Sequence, residues 1–311
     1  MTEEFRFVVD DDTAGLRLDV FLAELDDPPL SRSQVKKRID GGEVRVNGDQ
    51  VKAGYTLRTG DIVVWGYEPP RKLEALPEDI PLDILHEDRN VAIINKPAGM
   101  VVHPAPGHSS GTLVNAVLFH FARVADSGDE LRPGIVHRID KDTSGAIAVT
   151  KSDAAHRHLA GLFHDHDVER AYHALVFAPG LPDSGTFDTL HGRDPNDRIK
   201  FTSRVRKGRH AVTHYRTLER FDHGARLLEC TLETGRTHQI RMHLSEASSP
   251  LLSDPLYGGK KTRTAKVIHR AALHARTLGF EDIDGNLIRV DAPYPADFQQ
   301  AIDRLRAGAH W

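Results

Sequence analysis

Between residues 133 and 152 the sequence reads PGIVHRIDKDTSGAIAVTKS, crowding two acids, Asp140 and Asp142, with three bases, Arg138, Lys141 and Lys151. Ile135 and Val136 suit an apolar strand, the polar run to Ser144 a loop, and Gly145 the start of a second apolar strand. A carboxylate at the tip of such a loop is held by rigid elements yet open to a cleft. Asp140 placed there could act as a nucleophile or take a proton. The same run is equally good chemistry for a solvated turn, and spacing does not separate the two.

Two further segments carry candidate chemistry. In LETGRTHQIRMHLSEASSP, residues 232–250, a turn at Thr234-Gly235 follows a strand. Thr237 can then cap a helix whose apolar face is Ile240, Leu244 and Ala247. His238, Arg241 and Ser245 fall on another face at spacings of three and four. Arg241 thus sits in the first turn, where the helix dipole favours an anion, so a carboxylate or phosphate is its expected partner. In ERAYHALVFAPG, residues 169–180, Tyr172, Ala174 and Val176 share one strand face. Tyr172 is either a core aromatic or the lining of a base-sized pocket, where tyrosine can stack and handle a proton.

These residues need elements to hold them. Strands are expected over Phe5–Val9, Val91–Asn95, Ala146–Thr150, Tyr172–Phe177, Ala211–Leu218 and Leu227–Leu232, and helices over Thr112–Phe121, Ala154–His164 and His238–Ala247. Residues 15–66 read as a compact unit. A short helix carries Leu16, Leu18, Val20, Phe21 and Leu25. A second, capped by Ser31 or Ser33, runs from Gln34 to Ile39 and stops at Gly41-Gly42. Val44 and Val46 alternate before Asn47-Gly48, a tight-turn signal, and Asp61–Trp65 closes the unit. The segment YEPPRKLEALPEDIPLDILHED has four prolines among many charges and reads as a linker or wrapping segment. The expected organisation is a first domain over 1–70, a linker over 71–85 and a second domain over 86–311. Irregular strand spacing argues for α+β with a largely antiparallel, mixed sheet flanked by helices and loops, not a dinucleotide-binding fold.

Composition narrows the partners. At 311 residues the chain is long enough for about two domains. With 41 Lys and Arg against 45 Asp and Glu it is net acidic, so a polyanion must be met by local clusters. Three exist, at residues 31–38, 192–210 and 260–270, and make a phosphate-backbone partner plausible. One cysteine excludes a disulfide framework. Without an 18-residue apolar run or an apolar core in the acidic N-terminus, no membrane span is expected and the cytoplasm is the expected compartment. Gly259-Lys260 lacks the rest of a phosphate loop, and there is no GxSxG elbow. The 19 histidines, including the pairs His156/His158 and His164/His166, form no HExxH motif and read as mostly surface residues.

Taken together, the motifs resemble the RluA/RluD family of RNA pseudouridine synthases. The family loop HRLDxxT(S/T)G appears as His137-Arg138-Ile139-Asp140-Lys141-Asp142-Thr143-Ser144-Gly145. The likeness extends through Asn95-Lys96-Pro97-Ala98-Gly99, Val102-His103-Pro104, Glu169-Arg170-Ala171-Tyr172 and Thr234–Arg241, then Asp254-Pro255-Leu256-Tyr257-Gly258 and Leu273-His274-Ala275. Arg17-Leu18-Asp19, Ser31-Arg32-Ser33 and Val46-Asn47-Gly48 resemble an S4 RNA-binding domain. The tandem arrangement is similar to the family members acting on large-subunit ribosomal RNA. Ile139 replaces the usual leucine, Ser253 a glycine and Ala271 a glutamine; none touches the acid, the tyrosine or the arginine.

The resemblance implies isomerisation of uridine to pseudouridine in RNA, most naturally 23S ribosomal RNA, by a monomer needing no metal and no nucleotide cofactor. It implies Asp140, Tyr172 and Arg241 as catalytic residues. Asp140 attacks the sugar or removes a sugar proton. Arg241 pairs with it, and Tyr172 stacks on a uracil that has left its helix. RNA contacts are expected from Arg138, Arg236 and His238, and from Arg32, Lys36, Lys37 and Arg38 of the N-terminal unit. A non-catalytic RNA-binding or ribosome-assembly protein would share the basic segments but not the Asp140–Tyr172–Arg241 set. A glycoside hydrolase using Asp140 and Asp142 would need two acids on opposite sides of a substrate, which a tight turn does not offer.

Overall fold

The computed structural model describes residues 3–25, 32–67, 74–105, 107–259, 262 and 266–310. The chain divides into two compact units, Met1–Lys72 and Leu73–Trp311.

In the first unit, β1 (Glu3–Val8), β3 (Ile62–Tyr67) and β2 (Val44–Val46) form an antiparallel sheet in that order. Two helices, α1 (Leu18–Ala23) and α2 (Arg32–Asp40), close over it. Leu18, Leu22, Val35, Ile39, Val44, Val63 and Trp65 share one buried cluster. Asn47 and Gly48 both take positive φ, 53° and 87°, as a tight turn demands. The Asn47 side chain fixes that turn by accepting from the Ile62 amide at 2.8 Å and donating to Asp61 at 2.8 Å. Helix α2 already begins at Arg32, so Ser33 lies inside it rather than capping it; Ser31 falls outside the described residues.

The second unit is built on one mixed sheet. Its strands are β4 (Ile84–Glu87), β5 (Val91–Lys96), β6 (Ser144–Thr150), β7 (Glu169–Phe177), β8 (Ser184–Arg193), β9 (Phe201–Thr202), β10 (Arg209–Arg220), β11 (Ala225–Leu232), β12 (Leu273–Glu281) and β13 (Leu287–Asp291). The order is β4-β5-β6-β12-β7-β11-β10-β8-β9, with β13 also on β12. Among the described residues only the β6–β12 pairing is parallel. Its helices are α3 (Leu113–His120), α4 (Asp153–Asp165), α5 (Gln239–Glu246) and α6 (Ala296–Arg306). The period of two assigns faces: Val91, Ile93, Ala146 and Ala148 pack with Ala155 and Leu159 of α4, while Ala92, Ile94, Ile147 and Val149 pack with Leu113 and Val117 of α3. Because both faces are covered, these strands read as unbroken apolar runs. Further along, Ala174 and Val176 pack with Ile240 and Leu244 of α5, and Leu175 with Phe298 and Ile302 of α6.

Three local expectations are corrected. Ile135 makes only an isolated bridge to Val149, so no strand enters the 137–145 loop. The N-cap of α5 is His238, not Thr237. The histidines are not mostly on the surface: eight of the 19 are exposed, and His103, His173, His191, His243 and His274 are buried. No helix among the described residues is long and apolar enough to cross a membrane.

Candidate active site

The loop carrying Asp140 is fixed through its backbone. The Thr143 amide donates to the Asp140 carbonyl at 3.1 Å, closing the turn. The next two carbonyls are taken by cations. Lys96 Nζ donates to Lys141 O at 3.1 Å as well as to Pro97 O and Met100 O, and Arg270 Nη1 donates to Asp142 O at 2.9 Å. Burial pushes the Lys96 ammonium down to about 7, against the pull of Asp142. At the end of the loop Gly145 has φ 113°, and a Cβ there would lie 2.1 Å from the Ala275 carbonyl oxygen. Only glycine lets β6 dock on β12 at this point.

A second element brings the arginine. Gln239, buried at the start of α5, donates to Val212 O and Thr213 Oγ1 and accepts from Thr234 Oγ1 and the Arg236 amide. It ties the 234–236 turn to β10 and sets the direction of α5. Two residues on, Arg241 reaches two carboxylates. Its Nη1 donates to Asp140 Oδ2 at 3.0 Å, while Nε and Nη2 grip Asp254 at 2.7 and 2.9 Å. Asp254 is fully buried and also accepts from the Leu256 and Tyr257 amides, both at 2.9 Å. Burial alone raises the Asp254 pKa, but the Arg241 fork and charge and these amides outweigh it and hold it below the ordinary value. The same two carboxylates outweigh the burial of Arg241 and raise its pKa, so its charge is fixed. Among the described residues Asp140 Oδ1 accepts no hydrogen bond. One carboxylate oxygen is therefore anchored and the other presented.

These groups open on a cleft of about 560 Å³ in the second unit. Asp140, Arg241, Tyr172, Arg138, Arg236 and His238 all line it. Tyr172 stands on β7 with its hydroxyl pushed up to about 12 by burial and by the Asp140 charge, so it is neutral at pH 7. Six arginines, at 132, 138, 170, 209, 236 and 241, line the cleft against a single carboxylate, Asp140. A net-acidic chain thus concentrates positive charge where a polyanion would bind. Asp142 does not line the cleft, which removes the second acid a glycosidase would need. No group of three or more His, Cys, Asp or Glu among the described residues could hold a metal.

In the first unit, Lys36 is paired with Asp40 at 2.5 Å and Arg38 with Glu43 at 2.6 Å, while Lys37 has no carboxylate partner among the described residues. The four cations of α2 are not equivalent. Of the basic 260–270 segment, Lys260, Lys261 and Arg263 lie outside the described residues.

Sequence reasoning missed Asp254. The signal was present: an arginine in a first helical turn needs an anion, and Asp254-Pro255 begins a turn whose amides an aspartate can cap. Lys96 and Arg270 could not be read as loop clamps, because their targets are backbone carbonyls 45 and 128 residues away.

An α+β sheet carrying an arginine-paired aspartate in an arginine-lined cleft defines a carboxylate enzyme acting on a polyanion. Residues 90–246 match the RNA pseudouridylate synthase family and residues 16–63 the S4 domain. The chain belongs to the RNA pseudouridine synthase family and is an enzyme of that class. It is 45% identical over 291 residues to the RNA pseudouridine synthase YlyB of Bacillus subtilis, covering 93% of this chain and 94% of that one. It is 44% identical over 311 residues to ribosomal large subunit pseudouridine synthase D of Xanthomonas campestris, covering 96% and 92%. The solved structure of human RNA pseudouridylate synthase domain containing 1 shares the fold, with TM-score 0.58 and 23% identity over 73% of this chain and 87% of that one.

Proposed function

We propose that this synthase acts on uridines of large-subunit ribosomal RNA in the cytoplasm, as a monomer without a nucleotide cofactor. Relatives from Xanthomonas, Zymomonas and Xylella, 41–44% identical over at least 94% of the chain, carry the name ribosomal large subunit pseudouridine synthase D, which supports that substrate. The observation that carries the mechanism is the guanidinium of Arg241 shared between Asp140 and buried Asp254.

Asp254 holds Arg241, and Arg241 holds Asp140 Oδ2, so Oδ1 faces the ribose of a nucleotide flipped into the cleft. Flipping costs a few kcal/mol, offset by stacking of the uracil on Tyr172 and by the arginines around it. Asp140 then attacks C1′ or removes the C2′ proton, and a deuterium at C2′ separates the routes by slowing only the second. The N1–C1′ bond breaks, the uracil turns, C5 bonds to C1′, and the C5 proton leaves as N1 gains one. Arg138 and Arg236 hold the opened RNA. The S4 unit adds affinity through α2, chiefly Arg32 and Lys37, with Lys36 and Arg38 contributing as their ion pairs exchange for phosphate.

Pseudouridine mapping of large-subunit ribosomal RNA from cells with and without the gene tests the substrate. Loss of one or more discrete sites is expected. An unchanged large-subunit map, with sites lost elsewhere, would move the substrate to another RNA.

A further inference from the structure

We infer that His238 acts on the uracil itself, donating its Nε2–H to the carbonyl beside the glycosidic nitrogen as the bond to C1′ breaks. This rests on the synthase reading above and assigns His238 a catalytic role in place of a general RNA contact.

Backbone geometry is the first observation. His238 is the N-cap of α5, where an extended residue with a capping side chain is the rule. Here it is left-handed, φ 59° and ψ 19°, and makes no capping hydrogen bond. A residue with a Cβ takes that conformation against its preference, and such outliers gather at functional sites. The strained turn brings Nε2 to 3.9 Å from Asp140 Oδ2 and Nδ1 to 3.3 Å from Tyr257 Oη. Phe201 and Tyr257 meet the imidazole edge-on, at 5.8 and 5.6 Å between ring centres, and fix its plane.

The second observation selects the tautomer. Tyr257 Oη already accepts from the Phe201 amide at 2.8 Å, which favours its hydroxyl as the donor in the 3.3 Å contact with His238 Nδ1. Nδ1 is then bare and the ring hydrogen sits on Nε2, the nitrogen facing Asp140. Burial lowers the imidazole pKa, and Arg241 and Arg138 press the same way against Asp140 and Asp254, so the ring is neutral at pH 7. At 3.9 Å the Nε2–H is too far for a hydrogen bond to the carboxylate, which leaves it for an acceptor brought in by the substrate.

With Asp140 at the ribose, the nearest acceptor of the uracil base is the carbonyl adjoining N1. Cleavage leaves the bond pair on the uracil, shared between N1 and the two carbonyl oxygens. A neutral, fixed N–H donor aimed at that charge lowers the barrier without transferring a proton. Proton balance is unaffected: one leaves C5 after rearrangement and one is gained at N1.

The test is single-turnover kinetics of His238→Ala, His238→Gly and His238→Gln on an RNA with one target uridine, alongside RNA binding and thermal melting. A second RNA carries 5-fluorouridine at the target, where no C5 proton can leave. His238→Ala and His238→Gly should lose roughly 100- to 1,000-fold in rate, the scale of removing one charge-stabilising donor. RNA Kd should stay within about threefold, and His238→Gly should melt no lower than wild type because glycine relieves the left-handed strain. His238→Gln, whose amide can donate, should recover about tenfold over alanine, and the loss should persist on 5-fluorouridine RNA. Rates within threefold of an active wild type would overturn this role and leave the synthase reading standing. So would a loss confined to Kd, or one absent on 5-fluorouridine RNA, which would make His238 a base for the C5 proton. A wild-type protein inert on every uridine-containing RNA would overturn both.

Discussion

Asp254→Asn removes the one buried charge that holds Arg241 from behind. Asp254 is fully buried and receives Nε and Nη2 of the guanidinium at 2.7 and 2.9 Å. An amide in its place sets one N–H group against another and leaves Arg241 with the half-buried Asp140 as its only countercharge. Breaking one member of a buried pair costs about 3–5 kcal/mol. At about 2–4 °C per kcal/mol for a unit of this size, Tm at pH 7 should fall by roughly 6–20 °C. The sign of the pH dependence follows from Asp254, whose folded pKa lies below the ordinary 3.8 because Arg241 outweighs burial. Its stabilisation is complete above the unfolded value and is lost as pH falls through the folded one. The gap between wild type and variant should therefore be flat from about pH 5 to 8 and shrink below about pH 4. Urea unfolding across that range measures it. A Tm loss under about 2 °C, or a gap that does not narrow in acid, would refute the buried pair as the anchor of the site.

Gly145→Ala should be severely destabilising, by about 3 kcal/mol or more, because a Cβ would meet the Ala275 carbonyl at 2.1 Å on a backbone already at φ 113°; thermal melting checks this. Lys37→Ala should lower the salt slope of RNA binding by about one, whereas Lys36→Ala, already paired with Asp40, should lower it less; filter binding between 50 and 300 mM salt decides, on the scale of about one counterion per phosphate contact. Tyr172→Phe should keep RNA affinity and part of the rate while Tyr172→Ala loses about 1–3 kcal/mol of binding as the stacking face disappears. Because burial lifts the Tyr172 hydroxyl to about 12, no alkaline limb below about pH 10 should vanish in Tyr172→Phe.

What the sequence made legible follows from which interactions are local. Buried strands such as β5 and β6 were visible because both faces pack, against α3 and α4, and the apolar run is continuous. The Asp140 loop, the Arg241 helix and the Tyr172 strand were visible as motifs, and the dipole argument asked for an anion beside Arg241. It did not say that there are two. Asp254 lies 13 residues on, beyond any helical spacing, and its role exists only in the fold. β8 was missed because it alternates half-buried and exposed residues with polar side chains on both faces. Thr237 lost the N-cap to His238, which is left-handed and makes no capping hydrogen bond, a cap that no propensity scale would select. The four cations of α2 looked alike in sequence, and only their neighbours Asp40 and Glu43 tell them apart.

The central claim is that Asp140, held by Arg241, isomerises uridine in RNA. It is tested most directly by release of C5 tritium from uridine-labelled RNA, wild type against Asp140→Asn, with RNA binding and melting temperature measured in parallel. Asp140→Asn should bind RNA within a few-fold of wild type and remain folded, yet release tritium more slowly by about 1,000-fold or more, since no amide replaces a carboxylate at the sugar. Release by Asp140→Asn within about tenfold of wild type would contradict the assignment.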